Sequence, residues 1–215
     1  MISIAITGGI GSGKSYVSAL LQERGIPIYC ADDEAKRLMV SDEGIRHDLV
    51  SLLGDEAYCD GALNKSMLAS YLFANPENAA RINGIVHPRV KADFGRWLET
   101  HADKEVAGLE CAILFEAGFE NTVDVTVMVY APEDLRIERA MKRDDASEAQ
   151  IRARIAAQMN DEEKCSRADY IIYNDGCMPL ESQLSSLLTQ LKLENKLINL
   201  GVSHMNCTFA PRKIN

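Results

Sequence analysis

The sequence predicts an α/β fold: a five-stranded parallel sheet with helices on both faces. Three observations carry it. Short apolar runs alternate with helical stretches, a glycine-rich loop joins the first run to the first helix, and one long insert shows helical periodicity alone.

The elements follow in order. "ISIAI" breaks into the loop "TGGIGSGKS" and reads as a buried parallel strand. Val17, Leu20 and Leu21 then recur at helical spacing, and Gly25 stops that helix. "IPIYC" is a second strand, so the opening forms a right-handed βαβ crossover. Three more strands are expected at Leu109–Phe115, Val123–Tyr130 and Asp169–Asn174. Between the second and third, Asp33 to Lys104 is expected to be helical throughout. Ile45, Leu49, Leu52 and Leu53 make one apolar stripe there, and Val90, Phe94, Trp97 and Leu98 another. "NPEN" at Asn75–Asn78 starts a helix, with asparagine as cap and proline at the first position. A second helical excursion, Pro132–Ala168, is rich in arginine, and Leu180, Leu184, Leu187, Leu188 and Leu191 mark a closing helix. The tail, residues 197–215, has no periodicity and is expected to be poorly ordered.

The 215 residues are 47% hydrophobic, enough for one sizeable core, and 23 Lys and Arg face 32 Asp and Glu, a net charge of −9. That balance argues against a general binder of nucleic acid or membrane surfaces, so a phosphate ligand must be met by local cations. The six cysteines (Cys30, Cys59, Cys111, Cys165, Cys177, Cys207) form no CxxC pair, which fits reduced thiols in a cytoplasm. The chain opens without a secretory pattern, and no run approaches the ~20 apolar residues of a membrane span. A cytoplasmic protein with small-molecule partners is expected; oligomeric state stays open.

Gly8-x-x-x-x-Gly13-Lys14-Ser15 matches the phosphate-binding P-loop in full. Glycines let consecutive amides turn inward as an anion nest, and the helix starting near Lys14 adds its positive end. Lys14 can reach the β- and γ-phosphates, and the Ser15 hydroxyl can ligate Mg²⁺. Nucleotide binding follows; the reaction does not.

Asp32 and Asp33 fall just past the second strand, where open α/β sheets bind ligands. Asp32 can orient or deprotonate an attacking hydroxyl there, or it can cap the next helix, and the two readings are compatible. Asp33 reads as a solvated first-turn residue. Arg139, Lys142 and Arg143 stand at i, i+3 and i+4, placing three cations on one helix face. Alone, such a face is usually solvated and would pair with Glu138, Asp144 and Asp145. Behind a P-loop, Arg139 and Arg143 read instead as donors to a moving phosphoryl group on a closing lid. Lys142, Arg152 and Arg154 stay surface residues.

Six stretches in order resemble the dephospho-coenzyme A kinase family: "TGGIGSGKS", "ADDEAKRL", "FANPENAARINGIVHPRV", "AILFEAG", "RAMKRDD" and "YIIYNDG". The likeness spans about residues 1–190. The first stretch is common to P-loop kinases, whereas His87–Pro88, the "LFE" ending in Glu116 and their spacing to "KRDD" are more specific. The resemblance implies a P-loop NTPase-type core (residues 1–32, 105–131 and 169–196), a helical acceptor-binding insert (33–104) and a lid (132–168). It implies that ATP, with Mg²⁺, phosphorylates the 3'-hydroxyl of the ribose in dephospho-coenzyme A, the last step of coenzyme A synthesis. Carried over by position, Gly11, Ser12, Gly13, Lys14, Ser15 and Tyr16 hold the ATP phosphates, with Ser15 on the metal. Asp32 is the base, Arg139 and Arg143 are lid arginines beside ATP, and Asn174 lies near the adenine. Lys14 and Arg139 join Asp32 in catalysis. His87 and Arg89 face the acceptor with Asp32, although a His-Pro pair is also a common helix start.

Three positions depart from the family pattern. Cys30 stands for an aspartate, Tyr16 for a threonine and Ala112 for a proline. Cys30 removes one carboxylate near the acceptor; Asp32 survives. Two rivals remain at this level. One is a kinase of the same fold acting on a nucleoside, a nucleotide or shikimate. The other is a nucleotide-dependent switch, which would carry Asn-Lys-x-Asp where "LNKSM" has serine and methionine.

Overall fold

The computed structural model describes residues 1–199, so the expected tail lies outside the described residues from residue 200 on. β1 (Ile2–Thr7) is buried at every residue, as a strand covered on both faces must be. α1 (Lys14–Glu23) buries Val17, Leu20 and Leu21, and Gly25 follows it at φ +79°. Next come β2 (Ile28–Cys30), α2 (Ala31–Ser41) and α3 (Glu43–Leu53), the last capped by Asp42, which accepts from the Ile45 N–H at 2.8 Å. A short hairpin, β3 (Tyr58–Cys59) and β4 (Ala62–Leu63), precedes α4 (Lys65–Ala74) and α5 (Pro76–Thr100). After β5 (Val106–Glu110) and β6 (Val125–Tyr130) stand α6 (Glu133–Asp144), α7 (Glu148–Ala156) and α8 (Asp161–Arg167). β7 (Tyr170–Tyr173) and α9 (Leu180–Asn199) complete the described chain.

The main sheet has the order β2-β5-β1-β6-β7, with β1 parallel to β5 and β6, and β6 parallel to β7. Ile4, Ile6, Val17, Leu21, Val127, Ile172, Leu184 and Leu191 pack into one apolar cluster from the strands, α1 and α9. Each such side chain contributes roughly 1.5–3 kcal/mol on burial. Two aspartates fix the register at the strand starts. Asp124 Oδ2 accepts from the Ser3 N–H (2.8 Å) and hydroxyl (2.7 Å), and Asp169 Oδ2 repeats this with Thr126 at the same two distances. A one-residue slip would break both sets of bonds.

The described chain forms two compact units: residues 1–29 with 98–199, and residues 30–97. The P-loop and most of the main sheet lie in the first, and α2, α3, the hairpin and α4 in the second.

Two expectations need correction. The third long strand is Val106–Glu110, not Leu109–Phe115. Beyond Glu110 the chain turns, the Phe119 N–H donating to the Leu114 carbonyl, while Leu114 and Phe115 stay buried. A buried turn is as apolar as a strand, so composition misplaced the boundary. Residues 33–104 are also not helical throughout. Asp60 at φ +51° and Gly61 at φ +80° turn the hairpin between β3 and β4. "NPEN" does start a helix, the Asn75 side chain accepting from the Glu77 N–H at 3.0 Å.

Candidate active site

The loop between β1 and α1 is built so that protein packs closely behind it. Gly13, at φ +95°, is the residue before α1, and a Cβ there would overlap the Asn174 amide. At Gly11, φ +77°, a Cβ would overlap the main-chain carbonyl of Arg136. Both need glycine for conformation and for space. α1 begins without a side-chain cap and without an acidic residue in its first turn, which leaves its positive end for an anion. Lys14 Nζ donates to the carbonyls of Gly8 (2.9 Å) and Gly9 (3.2 Å), which places the ammonium over the loop. The Ser12 hydroxyl is buried without a hydrogen-bond partner among the described residues, an unmet donor inside the cradle. Ser15 Oγ donates to Glu110 Oε1 at 2.7 Å, at the end of β5. Tyr16 is 59% exposed, and nothing around it explains the departure from threonine.

Asn174, one residue past β7, joins this loop to α6. Its side-chain amide donates to the Ser12 carbonyl at 2.8 Å, and its own carbonyl accepts from Arg139 Nη1 at 3.0 Å. The cationic face of α6 therefore divides. Arg139 is half-buried and turned toward the Asn174 backbone, whereas Arg143 is exposed and forked onto Asp144 at 2.7 and 3.0 Å. Lys142 is exposed, and Arg152 and Arg154 form ion pairs with Glu133, Glu148 and Asp144.

The second unit holds the other expected site residues. Cys30 occupies the cap position of α2 but its side chain makes no capping bond, and Asp32 is an exposed residue of the first turn. Asp32 is thus not the cap, contrary to one of its two readings, because the helix starts a residue earlier at Ala31. Three carboxylates crowd that turn: Asp33 pairs with Lys36 at 2.8 Å, Glu34 pairs with Arg37, and Asp32 has no ion pair among the described residues. The bonds from Lys36 and then Cys30 hold the Asp33 carboxyl below the usual range. His87 and Pro88 do not start a helix either. They sit inside α5, which begins at Pro76. His87 is half-buried; burial, then Lys91, pull its pKa down, and Asp32 opposes them. Arg89 Nη1 donates to Asp42 at 2.8 Å and Nη2 to Asp48 at 3.4 Å, tying α5 to α3.

Four residues of the first unit escaped sequence reasoning: Glu110, Arg136, Gln158 and Lys164. Lys164 is fully buried and binds the Ala112 carbonyl (3.1 Å) and Glu116 Oε1 (3.0 Å), which also accepts from the Met159 N–H (2.9 Å). Burial raises the Glu116 pKa, but its hydrogen bonds, including those from Lys164 and Met159, outweigh that and leave it lowered. The "LFE" glutamate therefore anchors the start of α8. Among the described residues no group of three or more His, Cys, Asp or Glu could hold a metal, and no helix is long and apolar enough to cross a membrane.

Known proteins share the sequence and the fold of this chain. The profile of the CoaE family, dephospho-CoA kinase, covers residues 2–179. The dephospho-CoA kinase of Bacteroides fragilis (strain YCH46) is 51% identical over 190 residues, 88% of this chain and 93% of that protein. That of Salinibacter ruber (strain DSM 13855 / M31) is 44% identical over 181 residues, 83% of this chain and 91% of that protein. The crystal structure of TT1252 from Thermus thermophilus matches with a TM-score of 0.76 at 37% identity, over 88% of this chain and 97% of that one. Likeness over nearly the whole of these proteins sets aside the other small-molecule kinases and the switch protein. The chain belongs to the dephospho-CoA kinase family, ATP-dependent kinases that carry out the last step of coenzyme A synthesis.

Proposed function

We propose that Asp32 receives the proton of the 3'-hydroxyl of dephospho-coenzyme A, while Lys14 and Arg139 offset charge on the transferred phosphoryl group. One observation carries the first assignment: among the described residues Asp32 is the first-turn carboxylate of α2 without an ion pair, and it is exposed. Gly11 to Tyr16 would bind the ATP phosphates, Asn174 would stand near the adenine, and Arg143 would join ATP by exchanging Asp144 for phosphate. Residues 33–104 would bind the acceptor, with His87 and Arg89 on its side, and residues 132–168 would act as the lid.

Mg²⁺ fits the residues present, since the Ser15 hydroxyl and the Glu110 carboxylate offer two hard oxygens in hydrogen-bond contact. When bound, it neutralises charge on the β- and γ-phosphates. A cytoplasmic location is supported by Cys30, Cys59, Cys111, Cys165 and Cys177, which are thiols outside any disulfide among the described residues.

Because the transition state of phosphoryl transfer is loose, orienting the hydroxyl matters more than base strength. Asp32→Asn is expected to lower kcat by about 10²–10⁴-fold, with much smaller changes in either KM. Steady-state kinetics with varied ATP and varied dephospho-coenzyme A measure this. A variant with wild-type kcat would remove Asp32 from the chemistry.

A further inference from the structure

We propose that Arg136 and Gln158 are positioning residues that grip the two peptides flanking Ile10 and so aim the phosphate loop. The inference rests on the reading of that loop as the ATP site. Arg136 is 3% exposed, and its Nε donates to the Ile10 carbonyl at 2.9 Å. The Ile10 N–H donates to Gln158 Oε1 at 3.2 Å. Both polar groups of one loop residue are thus engaged, one by α6 and one by the connector between α7 and α8.

Peptide planarity turns these two bonds into a device. The Ile10 carbonyl and the Gly11 N–H belong to one trans peptide and point in opposite directions. Fixing the carbonyl on Arg136 therefore aims the Gly11 N–H away from the Arg136 guanidinium. The Gly9 carbonyl and the Ile10 N–H share the preceding peptide. With that N–H on Gln158, the Gly9 carbonyl points the other way, where it accepts from Lys14 Nζ. A Cβ on Gly9 would overlap the Arg136 guanidinium, so this glycine makes room for the grip.

The connector is itself held residue by residue. Met159 N–H donates to Glu116, Asn160 caps α8 by accepting from the Glu163 N–H at 2.7 Å, and Asp161 forms an ion pair with Arg136. Residues 158–161 therefore transmit the position of α8 to the loop. None of these side chains needs to touch substrate.

The test uses the full chain with Gln158→Ala and Arg136→Lys. Gln158 is half-buried, and lysine keeps a cation for Asp161, so both variants should fold. Calorimetric titration with Mg·ATP and steady-state kinetics are read together. The grip predicts an ATP dissociation constant raised about 3- to 10-fold in Gln158→Ala, with KM for dephospho-coenzyme A unchanged. Arg136→Lys should show the same split between the two KM values. An ATP affinity within twofold of wild type in Gln158→Ala, or an equal rise in both KM values, would overturn the proposal. Wild-type protein that binds no Mg·ATP would instead sink the reading of the loop.

Discussion

Two strand-to-helix junctions of the same local design end in opposite electrostatics. The first, from β1 into α1, has a glycine before the helix and no acidic residue in the first turn. The second, from β2 into α2, puts Asp32, Asp33 and Glu34 into the first turn. A helix N-terminus attracts negative charge, worth about 0.3–1 kcal/mol for an exposed group. One junction leaves that attraction for a ligand, and the other fills it with its own carboxylates. The surroundings differ as well. The first is backed by Arg136 and Asn174, packed so closely that Gly11 and Gly13 have no room for a Cβ. In the second, Asp32 and Asp33 face solvent. On the roles proposed above, the cradle is assembled before its phosphate ligand arrives, whereas Asp32, proposed to serve the acceptor hydroxyl, stays accessible.

Lys14 is the residue of the first junction whose loss should matter most. Lys14→Met is expected to lower kcat by roughly 10²–10³-fold, the scale of removing one donor to developing charge. A small loss would mean that the first junction binds phosphate without stabilising its transfer. Backbone packing gives the next effect. Gly25→Ala meets no atoms and should cost about 1–2 kcal/mol, from its positive φ alone. Gly11→Ala adds overlap with the Arg136 backbone and should cost roughly 3 kcal/mol or more in urea denaturation. Equal losses would show that the cradle is not tightly backed. The smallest effect concerns Glu116, whose carboxyl is lowered from its ordinary value of 4.5 in the folded chain. Its contribution is complete above that value and is lost as pH falls through the lower folded pKa. Thermal melting should therefore show a constant gap between wild type and Glu116→Gln above pH 4.5, closing in more acidic buffer.

Much of the fold was legible because its signals are local. A glycine loop between an apolar run and an amphipathic helix specifies β1, α1 and the proposed phosphate cradle together. The hairpin was missed although Asp60-Gly61 is a strong turn signal, because helical stripes on either side masked it. β5 was displaced because Leu114 and Phe115 are buried in a turn. Arg136 had no visible signal: arginine within a charged helix reads as surface, and its burial depends on the distant carbonyl of Ile10 and on Asp161. At the candidate site, position along the chain marked Asp32, Lys14 and Arg139. The bonds that hold Asn174 and Arg89 join residues far apart in sequence, and spacing cannot report them.

Pro88 gives α5 a mechanical property. A proline inside a helix has no N–H to offer the carbonyl four residues back, here that of Gly84, and its ring crowds that carbonyl. Along 25 helical residues this is where the hydrogen-bond ladder is interrupted, and glycine at the opposite end of the missing bond adds no side chain to stiffen it. The helix should bend there more readily than elsewhere. His87 and Arg89 lie on either side of the joint, so a small change in its angle would re-aim His87 relative to Arg89, which Asp42 and Asp48 hold.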